Sequence, residues 1–236
     1  ASRSMQVSVI IPTINEQENI ERAVSSAWDA GASEVIVADG GSTDGTLEIA
    51  TALRCHLVHA PTGRAHQQNA GADQASGSVL FFQHADTWLV PQGISQIRAA
   101  VELGARHGAF VQRIEAKGWR FRWLERGNAW RARRGRAYGD QGLFVQRELF
   151  ERLGGFPDEP IMEDLLLSRQ LRRQGRPAIL AGPLYVSPRR WLRHGVIRQT
   201  LRNWSLLALH RAGVPPRTLH QWYVRHDLPA ESPATH

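Results

Sequence analysis

Cysteine is almost missing from this chain of 236 residues: Cys55 stands alone, so no internal disulfide is available. It falls in a helix-to-strand passage where a small buried residue is the ordinary explanation, and no chemistry is assigned to it. Long apolar runs are missing as well. None approaches the roughly 20 residues needed to cross a bilayer, which argues against an integral membrane segment. The N-terminus shows no apolar stretch of the secretory kind, which predicts a cytoplasmic protein. Ala1 to Ser4, ahead of Met5, read as an expression remnant and are set aside from the fold argument.

Basic residues are in excess. Lys and Arg number 29 against 22 Asp and Glu, a formal charge of +7 with a sequence pI near 10.8. Such a balance suits nucleic acid, an acidic membrane surface or small anionic substrates. The basic residues concentrate between Arg113 and Arg136 and again from Arg169 to Arg202, leaving the first hundred residues poor in them. A basic second half points to a site for anions. With 42% hydrophobic residues the core is ordinary, and the length suits one domain with a C-terminal appendage.

Val7 to Ile11 is a β-branched apolar run ending at Pro12, the pattern of a fully buried parallel strand. Asn15 followed by Glu16-Gln17-Glu18 reads as an N-cap with an acidic first turn, and Ile20, Ala23, Val24 and Ala27 supply a helical stripe. The unit repeats: strand Glu34 to Ala38, a turn-rich loop Asp39 to Gly45, helix Thr46 to Leu53. A strand near His56 to His59, a helix from Arg64 to Asp73 and a strand Ser78 to Phe82 continue the alternation. This succession argues for a doubly wound α/β sheet.

Chemistry-bearing residues fall at the strand ends, where ligands bind in open α/β sheets. The run to Phe82 delivers His84-Ala85-Asp86, and alternation lets His84 and Asp86 converge on one object, a divalent metal or, more blandly, a helix cap by Asp86 or Thr87. The loop after Asp39 lacks the G-x-G-x-x-G spacing and a Walker lysine. Its glycines suit close approach of a flat ligand, with Ser42 or Asp44 capping the next helix. Asp39 either accepts from a pyrimidine imide or a ribose hydroxyl, or only orders its loop.

Val90 to Leu103 reads as an amphipathic helix leading to a strand at Ala109 to Gln112. Beyond it Lys117, Arg120, Arg122, Arg126, Arg131, Arg133, Arg134 and Arg136 alternate with Trp119, Phe121, Trp123 and Trp130. Three readings stay open for this stretch: single-stranded nucleic acid, a membrane-surface helix, or aromatics packed on the body with arginines reaching solvent. Glu148 to Leu153 is a short helix, Gly154-Gly155-Phe156-Pro157 breaks the chain, and Glu163 and Asp164 open a helix that continues through Arg169 to Arg173. Pro177 to Leu180 reads as a strand. From Trp191 onward Leu192, Val196, Ile197, Thr200, Leu201, Trp204, Leu207 and Ala208 recur at helical spacing, a face to be covered by the body, a second subunit or a membrane surface. After Pro215-Pro216 the chain is expected to be loosely ordered.

Taken together, Val7 to Glu16, Val37 to Thr46, His84-Ala85-Asp86 and Glu163-Asp164 resemble, over roughly residues 7 to 190, the family 2 glycosyltransferases of GT-A fold, which use nucleotide-sugar donors. The resemblance implies a Rossmann-like mixed α/β sheet with helices on both faces, spanning 5–190; the helical spacing beyond it sets an appendage over 191–225, and composition a loose tail over 226–236. It implies a donor site of Pro12, Asn15, Glu16, Asp39, Gly41, Ser42, Arg64, Asn69, Ala85 and Asp86. Asp86 with His84, and a late His194 if it returns to the site, would hold a divalent Mg or Mn; the alternative for His194 is a solvent-facing position. Arg64 would meet a diphosphate or stand as a surface arginine. Asp164 falls at the position of the family's base, supported by Glu163, and Arg136, Gly139, Asp140, Gln141 and Arg190 are acceptor candidates.

Two departures stand out. The usual Asp-Asp-Gly-Ser reads Asp39-Gly40-Gly41-Ser42, and the first aspartate of D-x-D is His84. Arg190-Trp191 resembles part of the motif of processive members, but Q-x-x-R-W is incomplete and no polymerisation is inferred. The His-Ala-Asp-Thr form, Gly139-Asp140-Gln141-Gly142 and Pro160 to Asp164 resemble a bacterial branch of selenium metabolism, the selenosugar synthases of selenoneine biosynthesis. That likeness implies transfer from a UDP-sugar, UDP-N-acetylglucosamine for preference, to selenophosphate, giving a 1-selenosugar. The expected partners are a UDP-sugar and a small anionic acceptor, with no nucleic acid and a homodimer possible through the C-terminal helix. A hydroxyl or lipid acceptor at the membrane is the alternative within the fold, and a nucleic-acid-binding module the rival outside it.

Overall fold

A computed structural model describes residues 5–134 and 141–227. Eight strands form one sheet: β1 (Val7–Thr13), β2 (Glu34–Asp39), β3 (His56–His59), β4 (Val79–Phe82), β5 (Thr87–Leu89), β6 (His107–Ile114), β7 (Leu143–Gln146) and β8 (Ala178–Val186), in the order β3-β2-β1-β4-β7-β6-β8-β5. The strands β1 to β4 run parallel, β7 lies antiparallel between β4 and β6, β8 returns parallel to β6, and β5 pairs antiparallel with β8. The βαβα succession anticipated the parallel half. The antiparallel β5 and β7 make the sheet mixed, as the family resemblance implied.

Among the described residues ten helices connect and flank the strands: α1 (Ile20–Asp29), α2 (Thr46–Ala52), α3 (Arg64–Gln74), α4 (Gly93–Glu102), α5 (Trp119–Arg133), α6 (Arg147–Arg152), α7 (Glu163–Arg173), α8 (Arg189–His194), α9 (Val196–Arg211) and α10 (Pro216–Asp227). Strand alternation divides the core in two. Val7, Val9, Ile11, Val35, Val37, Val79 and Phe81 face α1 and α4, whose Ile20, Val24, Ile94 and Ile97 are fully buried. Ile10, Ile36, Leu80, Phe82 and Val145 face α3, α6 and α7, where Phe156 meets Phe82 and Phe150 edge to face and Phe82 lies tilted against Phe150, with centroids 4.8 to 5.7 Å apart. Burying each such aliphatic or aromatic side chain contributes about 1.5–3 kcal/mol.

Several boundaries differ from the sequence reading. Asn15 does not cap α1. It sits in the left-handed region at φ 51°, and α1 begins only at Ile20, after a turn in which Glu16 O accepts from Asn19 N and Ile20 N. Thr87 opens β5 instead of a helix, its amide and hydroxyl both donating to His84 O. The segment after Pro215 forms α10, with Leu219 fully buried, where the composition after Pro215-Pro216 suggested loose order and the bounds of the appendage, 191–225, a helix. The strand expected to end at Leu180 runs on to Val186 because its second half pairs with both β6 and β5.

Candidate active site

The chain enters β1, moves outward to β2 and β3, then crosses back to β4 on the other side of β1. The carboxyl ends of β1 and β4 therefore flank a reversal of strand order, the place where open α/β sheets leave a crevice. Strand directions bring to this one edge the loops after β1, β2 and β4, the start of β7 near Gln141, and the end of β8 at Ser187.

On one side the loops after β1 and β2 are laced together. Asn15 N donates to Ser42 Oγ at 2.9 Å, Thr43 N to Asn15 Oδ1 at 2.8 Å, Glu16 N to Thr46 Oγ1 at 2.8 Å and Gly45 N to Gln17 Oε1 at 2.9 Å. Asp39, 1% exposed at the end of β2, accepts from Gly41 N at 2.9 Å, from Ser42 N at 3.0 Å and from the Ser42 hydroxyl. Its carboxylate orders the loop, and the lone pairs not used by these donors are what a base or ribose would meet. Asp44 shapes the start of α2 from one residue before the cap, accepting from Thr46 N.

The missing carboxylate at Gly40 has a steric reason. A Cβ built there would lie 2.9 Å from Gln67 Cδ. Gln67 cannot swing away cheaply: it is buried, and its Nε2 donates to Thr13 O at 2.6 Å and Ala38 O at 3.1 Å, tying together the ends of β1 and β2. Sequence reading passed over Gln67 because it stands among Ala65, Gly71 and Ala72 on a face that reads as packing. A glutamine on an otherwise small, buried helical face is the signal that would have found it.

The turn between β4 and β5 holds Ala85 buried beside His84 and Asp86, which are 9% and 7% exposed. Its backbone is pinned: Gln83 N donates to Ile10 O, Gln83 Nε2 to Ala23 O and Thr87 O, and Ser187 N to Asp86 O at 2.9 Å. Among the described residues no group of three His, Cys, Asp or Glu side chains forms a metal cage. One carboxylate and one imidazole two residues apart nevertheless fit a hard divalent cation that draws its other ligands from a diphosphate and water.

Opposite lies α7. Glu163 is 1% exposed, and burial pushes its carboxyl above the ordinary value, against the pull of Arg64, whose Nη1 lies 3.3 Å from Glu163 Oε1; the neighbouring Asp164 adds to the rise. Asp164 Oδ1 accepts from Leu165 N at 2.7 Å at the start of the helix. Asn69 spends its amide on the turn before α7, donating to Phe156 O and accepting from Phe156 N, both at 2.9 Å. Gly155 in that turn has φ 75°, and a Cβ there would lie 2.7 Å from Asn69 Oδ1. Glycine and asparagine thus fix one another.

Glu16 is engaged by a residue the sequence did not single out. Arg189 Nη2 lies 2.8 and 2.9 Å from the two Glu16 oxygens, while Asn19 Nδ2 donates to Oε2 at 2.7 Å. Arg189, next to the candidate Arg190, thereby fastens the chain beyond β8 to the loop after β1. Gln141 is buried, its Nε2 3.4 Å from Asn128 O of α5. Pro12 belongs to β1 itself. Arg136, Gly139 and Asp140 lie outside the described residues, as do the side chains of Arg190 and His194. Cys55 is partly buried and its thiol is pushed up by that burial, in keeping with an inert role.

Comparison with known proteins identifies the class. The solved structure of S. aureus TarS 1-349 in complex with UDP-GlcNAc superposes with a TM-score of 0.64 at 20% identity, over 78% of this chain and 58% of that one. The mannosyltransferase PcManGT from Pyrobaculum calidifontis, solved with GDP-Man and Mn2+, gives 0.61 at 24% identity over 79% and 57%. The fold is GT-A. Residues 8–150 match the model of glycosyl transferase family 2, and the chain belongs to that family. Glycosyltransferase AglE of Haloferax volcanii is 38% identical over 107 residues, 39% of this chain, and the match spans about a third, 35%, of that relative's length. No described helix is long and apolar enough to cross a membrane.

Proposed function

We propose that the protein transfers a sugar from a UDP-sugar, UDP-N-acetylglucosamine for preference, to selenophosphate, giving a 1-selenosugar for selenoneine biosynthesis. The observation that carries this reading is the Glu163–Arg64 pair on the acceptor side: a carboxyl driven toward neutrality by burial, with a guanidinium 3.3 Å away that is 42% exposed. The changes at Gly40 and His84 act in the same direction, replacing carboxylates with neutral groups around a site that would receive two anions. Selenium attacks the anomeric carbon, the C–Se bond forms as the bond from that carbon to the diphosphate oxygen breaks, and UDP leaves with the electron pair; water then cleaves the P–Se bond of the adduct, releasing phosphate and the 1-selenosugar.

In this reading Pro12, Asn15, Glu16, Asp39, Gly41 and Ser42 receive the nucleoside, and Ala85 and Asp86 face the diphosphate. Asp86 and His84 would hold a Mg or Mn ion, with His194 a further candidate ligand; the ion would supply countercharge to the departing diphosphate. Arg64 stands to meet the donor diphosphate, and Arg136 and Arg190 are the candidates to hold phosphoryl oxygens of the acceptor, where a planar guanidinium offers two parallel donors. Asn69 acts on the site by holding the Gly154-Gly155-Phe156 turn, and Gly139, Asp140 and Gln141 border the acceptor. Selenophosphate arrives with its nucleophile already ionised, so Asp164 has no proton to remove.

Mass spectrometry of products from UDP-sugars offered with selenophosphate, thiophosphate and simple alcohols tests the assignment. A selenosugar and UDP are expected. Transfer only to alcohols or to a lipid would replace selenophosphate with a hydroxyl acceptor. In the same assay Asp164→Asn should lower kcat with selenophosphate by less than the about 10²–10⁴-fold that a general base contributes.

A further inference from the structure

The outer face of α5 takes no part in the site and is exposed in an unusual way. Trp119, Trp123 and Trp130 are 68%, 66% and 58% exposed. With Arg126 they recur at spacings of four, three and four, which at 100° per residue confines all four side chains to an arc of about 60° along about 16 Å of helix. Lys117, Arg120, Arg133 and Arg134 are exposed around this ridge, with Arg134 stacked 3.6 Å from the Trp130 ring and Arg120 5.6 Å from that of Trp119. The one acid of the helix, Glu125, is buried on the opposite side, where it accepts from Ile114 N and pairs with Arg122 at 2.7 Å. Arg122 in turn donates to Ile114 O and Ala116 O. The inner face is thus anchored to the end of β6, at the edge that carries the site, and the outer face presents indole and guanidinium with no acid among them.

We infer that this ridge docks the protein on an anionic bilayer surface. Tryptophan prefers the boundary between headgroups and acyl chains, and arginines flanking it meet lipid phosphates while their stems cover apolar surface. Charge argues against a second copy of the chain as the occupant: a two-fold dimer through this face would set arginines against arginines. Shape argues against single-stranded nucleic acid, which is held in a groove with bases stacked on aromatics, whereas this is a convex ridge on one helix. Since α5 springs from the site's own edge, docking would hold that edge close to the membrane. This surface is independent of the acceptor proposed above.

Cosedimentation of the full chain with phosphatidylglycerol vesicles, against vesicles of phosphatidylcholine alone, reads the surface without reading transfer. Binding is expected to the anionic vesicles only, to weaken as salt is raised, and to fall about tenfold or more in a Trp119→Ala/Trp123→Ala/Trp130→Ala variant. Leu103→Ala, 90% exposed just after α4, should leave binding intact and serves as control. Thermal melting and circular dichroism of the triple variant show that it is folded; if it is not, Arg126→Glu/Arg133→Glu takes its place with the same expectation. Failure to bind anionic vesicles, or binding unchanged in folded variants, overturns the inference. A dimer or a nucleic-acid complex broken by the same variants, with no vesicle binding, reassigns the ridge to that partner. Loss of selenosugar formation would leave the inference standing, and loss of vesicle binding would leave the transfer reading standing.

Discussion

The two sides of the crevice are held by different means. Where the ends of β1 and β2 meet, loop joins loop through backbone amides and short polar side chains: residues 15–17 bond to residues 42–46, 27 to 30 positions away, and Asp39 bonds within three positions of itself. On the other side the ties reach much farther and rest on charge or on a single amide. Arg64 reaches Glu163 across 99 positions, Asn69 reaches Phe156 across 87, and Arg189 reaches Glu16 across 173. Many amide bonds in short loops preorganise a shape before any ligand arrives. Of the two arginines Arg64 is the more exposed, at 42%, and an exposed arginine is a charge an incoming anion can recruit because it loses little on changing partners.

The largest expected effect comes from removing the charge at which the two sides meet. Asp86→Ala should lower kcat/KM by about 10²–10³-fold, the scale on which preorganised electrostatic groups act. It should also abolish the part of a UDP-induced rise in melting temperature that depends on a divalent cation. Thermal melting of both proteins with UDP, with and without Mn²⁺ or EDTA, checks this. A full UDP shift of the wild type in EDTA would show that Asp86 does not act through a metal.

The same contrast explains what could be read in advance. The side built from β1 and β2 was legible as fold because its elements are local: an apolar run, a turn-rich loop and a helix stripe repeat between Val7 and Ala52, and Asp39 falls at a strand end by pattern alone. The antiparallel β7 and the three-residue β5 were not, since each is short and owes its existence to partners far along the chain. Arg189 escaped notice for the same reason, as nothing near it distinguishes it from Arg190. Gln67 was hidden otherwise, by standing where a packing residue was expected.

Gly40 offers a sharper test of the donor side. Restoring the usual carboxylate with Gly40→Asp forces a Cβ against Gln67 and should cost about 1–3 kcal/mol, as overpacking of a close contact does. In a Gln67→Ala background the same substitution should cost less, with a coupling of about 0.5–3 kcal/mol. Urea unfolding of the four proteins measures it. Additive effects would mean that the glutamine is not what excludes a side chain at position 40.

The smallest effect tests the far side, where burial and pairing oppose each other at Glu163. Burial raises the carboxyl above its ordinary 4.5, while Arg64 pulls it down, and the net direction is up. A carboxyl that binds its proton more tightly in the folded protein than in the unfolded chain adds stability that is complete below the unfolded value and is lost as pH rises through the folded one. Glu163→Gln keeps the shape and cannot titrate. The stability of the wild type relative to this variant should therefore decline as pH is raised from below 4.5 toward neutrality. Urea midpoints of both proteins across that range read the difference directly. A wild type that instead gains on the variant with rising pH would mean that the Arg64 pair outweighs burial, leaving Glu163 fully ionised. The acceptor side would then carry two carboxylates, and the case for an anionic acceptor would lose its main support.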